Sequence, residues 1–258
     1  MRAWRRLGSI ARFTLLEAWR TRLPWIVVAV VFTFYCASLL VREIAITESL
    51  RFQTGFLAAG LRAAAVFIVA LYVLASWLRD VNDKVLDLML SLDLSRSHYL
   101  LGKFAGFSLV ALITALLCML PLFIIHPGQA IFLWLCSLVL ELWIIVALSL
   151  FCINTLSQIT PAAGFVAAFY LLARSIAAIQ LMSRSSLIAE NSWERKLSSH
   201  LADLVALLLP GLERFTQTAW LVDAAAPWPV LPMLTLQAVI YIVLLLAAAS
   251  FDLHRRNM

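Results

Sequence analysis

Residues 104–125, FAGFSLVALITALLCMLPLFII, form an apolar run without a charged side chain. A helix needs about 20 mostly apolar residues to cross the roughly 30 Å hydrocarbon core of a bilayer, and this run meets that requirement. Five further segments have the same character, at about 23–41, 55–78, 130–153, 160–182 and 229–250. We therefore expect an all-α polytopic membrane protein with six transmembrane helices.

The composition of the whole chain agrees with this class. Of its 258 residues, 64% are hydrophobic and 13% are charged, and the mean hydropathy is +0.96. A typical soluble domain is about half apolar and roughly a quarter charged. A soluble fold of this length has too little interior to bury so many apolar side chains. The net charge of +6 is not gathered into a long basic stripe, so we expect no nucleic-acid partner.

Basic residues set the expected orientation. With six spans both termini lie on one side of the membrane, and that side carries most of the 20 Lys and Arg residues. Lys and Arg concentrate in the cytoplasmic loops of membrane proteins. We therefore expect a multi-pass protein of a bacterial cytoplasmic (inner) membrane, in contact with its lipids, with both termini in the cytoplasm.

The chain is expected to form a single transmembrane domain, residues 1–258. Its parts are an interfacial elbow helix at 1–22, spans one and two at 23–78, a cytoplasmic segment at 79–103, spans three to five at 104–182, an extracytoplasmic loop at 183–228, and span six with a cytoplasmic tail at 229–258. The first part has a basic face opposite a Trp/Leu face, which is typical of a helix lying in the membrane interface. In the outer loop, 197–209 and 212–222 predict short helices.

The cytoplasmic segment reads RDVNDKVLDLMLSLDLSRSHYLLGK from residue 79 to residue 103. Leucines are interleaved with aspartates at a density that flexible connectors do not have. The pattern favours an ordered helix whose apolar face is available to a partner protein.

Three charged residues lie inside predicted spans, namely Arg62, Glu141 and Arg174. Each is costly if left unpaired near the middle of a bilayer. At 1.5 Å per residue, Glu141 lies about 16 Å and Arg174 about 12 Å below the outer ends of their helices. A Glu141–Arg174 pair joined by Arg62 is therefore geometrically possible. The alternatives are that these residues line a substrate path or a dimer interface, or that they relay protons.

Motifs for covalent or nucleotide chemistry are missing from the sequence. It contains no HExxH, GxSxG or CxxC pattern, and Gly102-Lys103 lacks the upstream Gly and the following Ser/Thr of a nucleotide-binding P-loop. We therefore expect a protein that is not an enzyme and that binds no cofactor or metal of its own.

Two short stretches resemble a known family. Phe13-Thr14-Leu15-Leu16-Glu17-Ala18, and the segment with Leu88-Met89-Leu90-Ser91, Leu94-Ser95-Arg96 and Tyr99-Leu100-Leu101-Gly102-Lys103, resemble ABC-2 type permease subunits of ATP-binding-cassette exporters. The order of interfacial helix, spans and outer loop is similar as well. Permeases of nitrous-oxide-reductase maturation and of multidrug or sodium export systems look nearest.

The resemblance implies a mechanism. Two copies of the permease, as a homodimer or with a paralogue, would form the substrate pathway, and a separate ATPase subunit would bind and hydrolyse ATP. A coupling helix at about 82–96 would sit on that ATPase, with the turn 154–160 as a second contact. The residues assigned to coupling are Asp83, Leu86, Asp87, Met89, Leu90, Arg96 and Ser157.

Two other functions remain open. The chain could be a non-ABC membrane protein, either an ion-coupled carrier or an intramembrane enzyme, or it could be an assembly scaffold that transports nothing. Carriers usually show inverted repeats and broken helices near the middle of the membrane. No convincing internal repeat is visible here.

Overall fold

Helices make up most of residues 2–45, 47–83, 96–125, 127–184, 209–222 and 228–255, which are the residues that the structure, a computed structural model, describes. Within these ranges there are eight α-helices and no strand, so the predicted all-α class is confirmed. The helices are α1 Arg2–Arg20, α2 Leu23–Ile44, α3 Ser49–Asn82, α4 Arg96–Ile125, α5 Gln129–Leu156, α6 Ile159–Arg184, α7 Thr218–Val222 and α8 Leu231–Arg255.

Six of these helices, α2 to α6 and α8, are long and apolar enough to cross a membrane. They match the six predicted spans, and the chain is a multi-pass membrane protein by this criterion. Two of them reach further than their apolar runs: α3 continues to Asn82 and α4 begins at Arg96. Both ends of the predicted cytoplasmic segment, 79–103, are therefore helical. A helix can extend past the hydrocarbon layer when its polar side chains form ion pairs or hydrogen bonds.

Helix α1 lies against α4 and packs more closely than its sequence pattern suggests. Thr14 on α1 sits over Gly106 on α4, where an added Cβ would come within 2.6 Å of the Thr14 Cβ. One turn earlier on α4, Gly102 faces Ile10, and a Cβ added at Gly102 would lie 3.0 Å from the Ile10 Cβ. The two glycines form a G-x-x-x-G groove that lets the helix backbones approach each other. The opposite side of α1, with Trp19 72% exposed, remains free to contact the membrane interface.

The connection from α1 to α2 is a tight turn. Arg22 adopts a left-handed conformation with φ of 60°, and Pro24 stands in the first turn of α2, where its missing N–H costs nothing. Further along, Phe34 of α2 lies over Gly60 of α3, so these two helices pack as an adjacent hairpin.

Helix α5 occupies the centre of the bundle. It packs against α3, α4, α6 and α8, and most of its side chains are buried, including Trp134 and Glu141. In contrast, α2 and α8 are the least buried of the spanning helices, and each presents a row of large apolar side chains to the outside. The bundle therefore has one enclosed helix and two peripheral ones that suit a lipid environment.

The chain between α6 and α8 enters the bundle from the end opposite α1. A short 3₁₀ turn covers Leu212–Arg214, Phe215 is extended, and Thr216 is left-handed with φ of 43° before α7 begins at Thr218. The sequence predicts one helix over 212–222, and the structure breaks it at 215–217. The other predicted outer helix, 197–209, lies outside the described residues except for the buried Leu209.

Candidate functional site

One group of polar side chains is buried where the chain between α6 and α8 meets the spanning helices. We call it the outer cluster, and it consists of Arg62 on α3, Ser137 and Glu141 on α5, Arg174 on α6, and Thr216. Glu141 and Thr216 are fully buried, and the Arg174 side chain is 21% exposed. The structure thus brings together Arg62, Glu141 and Arg174, an arrangement that the sequence allowed as one of several alternatives.

Thr216 is the centre of the outer cluster. Its hydroxyl donates to Glu141 Oε2 at 2.5 Å, and its backbone N–H donates to Ser137 Oγ at 2.8 Å. Its carbonyl accepts from Arg62 Nη1 at 3.1 Å. A left-handed conformation is unfavourable for a β-branched residue. These side-chain partners from α3 and α5 therefore hold the residue in a conformation that it would not adopt alone.

Arg174 connects the same segment to α6. Its Nη1 lies 2.7 Å from the carbonyl oxygen of Leu212, 3.0 Å from that of Phe215, and 3.6 Å from Glu141 Oε1. The last distance is that of an ion pair rather than a hydrogen bond. Non-helical backbone is tolerated at membrane depth only where protein groups satisfy it. Arg62 and Arg174 provide those groups here.

The outer cluster contains two guanidinium groups and one carboxylate. The second positive charge is not balanced by another acidic side chain of the cluster but is solvated by the main-chain carbonyls of Leu212, Phe215 and Thr216. The segment 212–216 is therefore part of the charge arrangement, and the spanning helices alone would leave these arginines short of acceptors.

A second group of polar side chains lies at the opposite end of the bundle. We call it the inner cluster, and it consists of Glu17 on α1, Ser76, Arg79 and Asp80 on α3, and Tyr99 and Lys103 on α4. Arg62 and Arg79 are about 25 Å apart along α3 at 1.5 Å per residue. The two clusters are therefore separated by a distance close to the thickness of a hydrocarbon layer, which is about 30 Å.

Lys103 is the buried cation of the inner cluster, with a side chain only 2% exposed. Its Nζ lies 2.6 Å from Asp80 Oδ2 and 3.4 Å from Glu17 Oε2, and 5.5 Å from the centre of the Phe107 ring. Tyr99 donates its hydroxyl to the same Asp80 oxygen at 3.0 Å. A buried lysine is tolerated when it is paired in this way.

Glu17 connects α1 to the two other helices. Its Oε1 accepts from Ser76 Oγ at 2.8 Å and lies 3.1 Å from Arg79 Nη2, while its Oε2 faces Lys103. One carboxylate on the interfacial helix thus holds the end of α3 and the start of α4. These two helix ends flank residues 84–95.

The residues assigned to ATPase coupling are only partly described. Asp83 ends α3 and is exposed, and Ser157 occupies an exposed left-handed turn between α5 and α6. Arg96 is the first residue of α4, but its side chain is not described. Leu86, Asp87, Met89 and Leu90 lie outside the described residues, so their predicted role stays a prediction.

The inner cluster and Thr216 are absent from the sequence-based site residues. The sequence places Arg79, Asp80 and Lys103 in the cytoplasmic segment 79–103, because the second apolar run ends before Arg79 and the third begins after Lys103. A usable signal was present in Gly102 and Gly106, whose spacing indicates a close helix contact at Lys103. Nothing local marks Thr216, since its partners are distant in sequence.

The ion pairs and hydrogen bonds of the two clusters connect helices that are distant in sequence. Among the residues that the structure describes, no three His, Cys, Asp or Glu side chains are placed to hold a metal ion. Comparison with protein-family models and with curated proteins finds no match for this chain.

Proposed function

We propose that this protein is the transmembrane permease subunit of an ABC exporter. Two copies form the substrate pathway, and a separate ATPase subunit drives them from the end of the bundle that carries the inner cluster. In this proposal the chain hydrolyses no ATP itself. Conformational changes of the ATPase displace its spanning helices instead.

One observation carries the proposal. The two short stretches that resemble ABC-2 type permeases, 13–18 and 88–103, are far apart in sequence, but the first touches the described end of the second in the structure. Glu17 of the first faces Lys103 of the second at 3.4 Å. Close helix packing surrounds this contact, with Gly102 against Ile10. Each of the two sequence patterns is weak by itself. Because both contribute to one ion-paired contact, together they support the resemblance to ABC-2 type permeases more strongly than either pattern does alone.

The geometry suits transmission of movement from a partner. The coupling segment that we propose, at about 82–96, begins at the end of α3 and ends at the start of α4. Asp80 and Lys103 lock those two helix ends together, and Glu17 adds α1 to the same rigid unit. Packed elements linked by buried ion pairs move as one body. A displacement of the coupling segment would therefore reach two spans and the interfacial helix at once.

The distribution of basic and apolar residues supports the proposed location. α1 and the end of α8 with Arg255 lie on the side of the inner cluster, which we assign to the cytoplasm of a bacterial inner membrane. The exposed apolar rows of α2 and α8 suit lipids and a second copy of the chain. We propose a homodimer on this basis.

An ion-coupled carrier is the second candidate, because the outer cluster has two features that favour it. Glu141 is a fully buried carboxylate, and a non-helical segment lies beside it at membrane depth. Carriers use such interrupted backbone and buried carboxylates at ion sites. A carrier would transport without a partner ATPase, which separates it from the first proposal.

The test is purification of the tagged chain from its native cells in mild detergent. We expect a protein with a P-loop, identified by mass spectrometry, to co-purify with ATP hydrolysis that orthovanadate inhibits. Reversing the charges at Asp83, Asp87 and Arg96 together with Leu86→Glu should abolish this association. The matched control exchanges the exposed ion pair of Glu48 and Arg51 at the outer end and should leave it intact.

Absence of any P-loop protein from the wild-type preparation would contradict the proposal and favour the carrier. Retention of the ATPase by the charge-reversed variant would instead show that the coupling segment is misplaced.

A further inference from the structure

A lateral cavity of about 530 Å³ opens beside the inner cluster, between α2, α3 and the start of α6. Its volume falls in the range of roughly 300–1,000 Å³ that is usual for small-molecule pockets. The walls are formed by apolar side chains of the two spans, among them Ile26, Ile68, Leu71 and Ala75. The cavity therefore offers a long apolar surface within reach of the bilayer.

Polar groups gather at one end of this cavity. Arg79 and Asn82 line it there, together with Thr21 from the turn between α1 and α2. The Arg79 side chain is 49% exposed, and only one of its nitrogens is drawn to Glu17. A guanidinium has five N–H donors in a planar fork, so donors remain for an anionic oxygen.

Further basic residues surround the same end. Arg20 and Arg22 flank Thr21 in the chain and are exposed. The end of the cavity is thus lined by one arginine, an amide and a hydroxyl, and two further exposed arginines lie beside Thr21 in the chain. This composition suits a phosphate, while the apolar walls suit an acyl chain. Basic pockets between membrane helices on the cytoplasmic side are known to hold anionic lipid headgroups.

We infer that this cavity binds an anionic phospholipid from the inner leaflet, with its headgroup phosphate on Arg79 and its acyl chain along Ile68 and Leu71. A second copy of the chain fits less well, because a symmetric contact at this end would bring the three arginines against their own equivalents. The inference uses the proposed orientation but is independent of any ATPase. Because the lipid would touch both α3 and the α1–α2 turn, it would brace the inner cluster from the side.

The test is native mass spectrometry of the full-length protein with phosphatidylglycerol and phosphatidylcholine of identical acyl chains. The wild type should retain phosphatidylglycerol about fivefold more strongly. Arg79→Gln should remove this preference, since fivefold corresponds to about 1 kcal/mol, the usual contribution of one arginine near an anionic headgroup. Arg255→Gln, an exposed arginine at the same end of the bundle that does not line the cavity, is the matched control and should change nothing.

A second variant tests the walls without touching the charges. Ala75→Phe fills the cavity and should reduce retention of phosphatidylglycerol at least fivefold. Leu71→Trp, at a wall position that is already 51% exposed, repeats the test if Ala75→Phe does not fold. ATPase association is measured on the same preparations, so that failure of the lipid site is distinguished from failure of the proposed function.

Three results would overturn the inference: equal retention of the two lipids by the wild type, equal behaviour of the Arg79 and Arg255 variants, or undiminished retention in the filled variants. A fall from dimer to monomer mass in the filled variants, with phosphatidylglycerol still bound, would identify the cavity as a subunit contact and overturn it as well.

Discussion

The inner and outer clusters both place ionised side chains among apolar helices, but they balance their charges differently. The inner cluster pairs two carboxylates, Glu17 and Asp80, with two cations, Arg79 and Lys103. The outer cluster has two arginines and the single carboxylate of Glu141, and main-chain carbonyls of residues 212–216 complete it.

This difference indicates what each cluster can do. The inner cluster is complete without any loop, and its partners lie on three helices that flank the proposed coupling segment. It can therefore move as a unit. The outer cluster is complete only while the segment 212–216 stays inserted. Any movement that withdraws this segment would take the main-chain acceptors away from Arg62 and Arg174 and leave them only the carboxylate of Glu141 within the cluster, so the outer cluster resists opening at that end.

The largest expected effect comes from breaking the outer cluster. Glu141→Leu removes the one carboxylate of the outer cluster from the half-buried Arg62 and Arg174, and it removes the acceptor of the Thr216 hydroxyl. Loss of one partner from a buried ion pair typically costs about 3–5 kcal/mol, and we expect a decrease of that size in the free energy of unfolding, measured in mixed micelles. Glu141→Gln, which keeps an acceptor for Thr216, should cost less.

The double variant Glu141→Leu with Arg174→Leu sharpens the same point. If the two residues act as a pair, the double variant should be less destabilised than the sum of the two single variants. Strict additivity would mean that the 3.6 Å approach of these residues contributes nothing.

Breaking the inner cluster should cost less. Lys103→Met removes the cation between Asp80 and Glu17, but Tyr99 and Arg79 remain as partners and the half-exposed Arg79 shows that water is near. Because both carboxylates keep a partner, we expect a loss of about 2 kcal/mol in the free energy of unfolding, below the roughly 3–5 kcal/mol typical when a buried charge is left alone. A loss larger than that of Glu141→Leu would reverse our ranking of the two clusters.

A smaller effect is expected at the helix contact that supports the inner cluster. Gly106→Ala puts a methyl group within 2.6 Å of the Thr14 Cβ, so α1 must shift away from α4. Overpacking of this kind costs about 1–3 kcal/mol, which we place near the lower limit because α1 is peripheral. Gly164→Ala on α6 has no neighbour within 4 Å and is the matched control. It should be neutral or slightly stabilising in thermal unfolding, and equal destabilisation of the two variants would argue against the groove.

The smallest effect is expected outside both clusters. Glu48 and Arg51 form an exposed pair at 3.2 Å, with side chains 60% and 55% exposed. Exposed pairs contribute about 0–1 kcal/mol. Glu48→Gln should therefore leave the unfolding temperature nearly unchanged. A loss comparable to that of Lys103→Met would show that burial does not govern the ranking.

Apolarity was enough to predict six spans, and depth made an approach of Glu141 to Arg174 one of several possibilities. They were not enough for the helix ends, because Arg79, Asp80 and Lys103 are polar residues whose partners lie on neighbouring helices and are distant in sequence. The break at 215–217 was also missed. Its cause is a set of side chains from three distant helices, and no local pattern records them.

The central claim is that a partner ATPase binds the coupling segment, and site-specific photo-crosslinking in living cells tests it most directly. A photoreactive amino acid at Leu90 should give an adduct that mass spectrometry identifies as a P-loop ATPase. The same probe at Ile124, 71% exposed at the outer end of α4, should give none. The account would be contradicted if the protein crosslinked at Leu90 had no P-loop, or if the probes at Leu90 and Ile124 gave the same adduct.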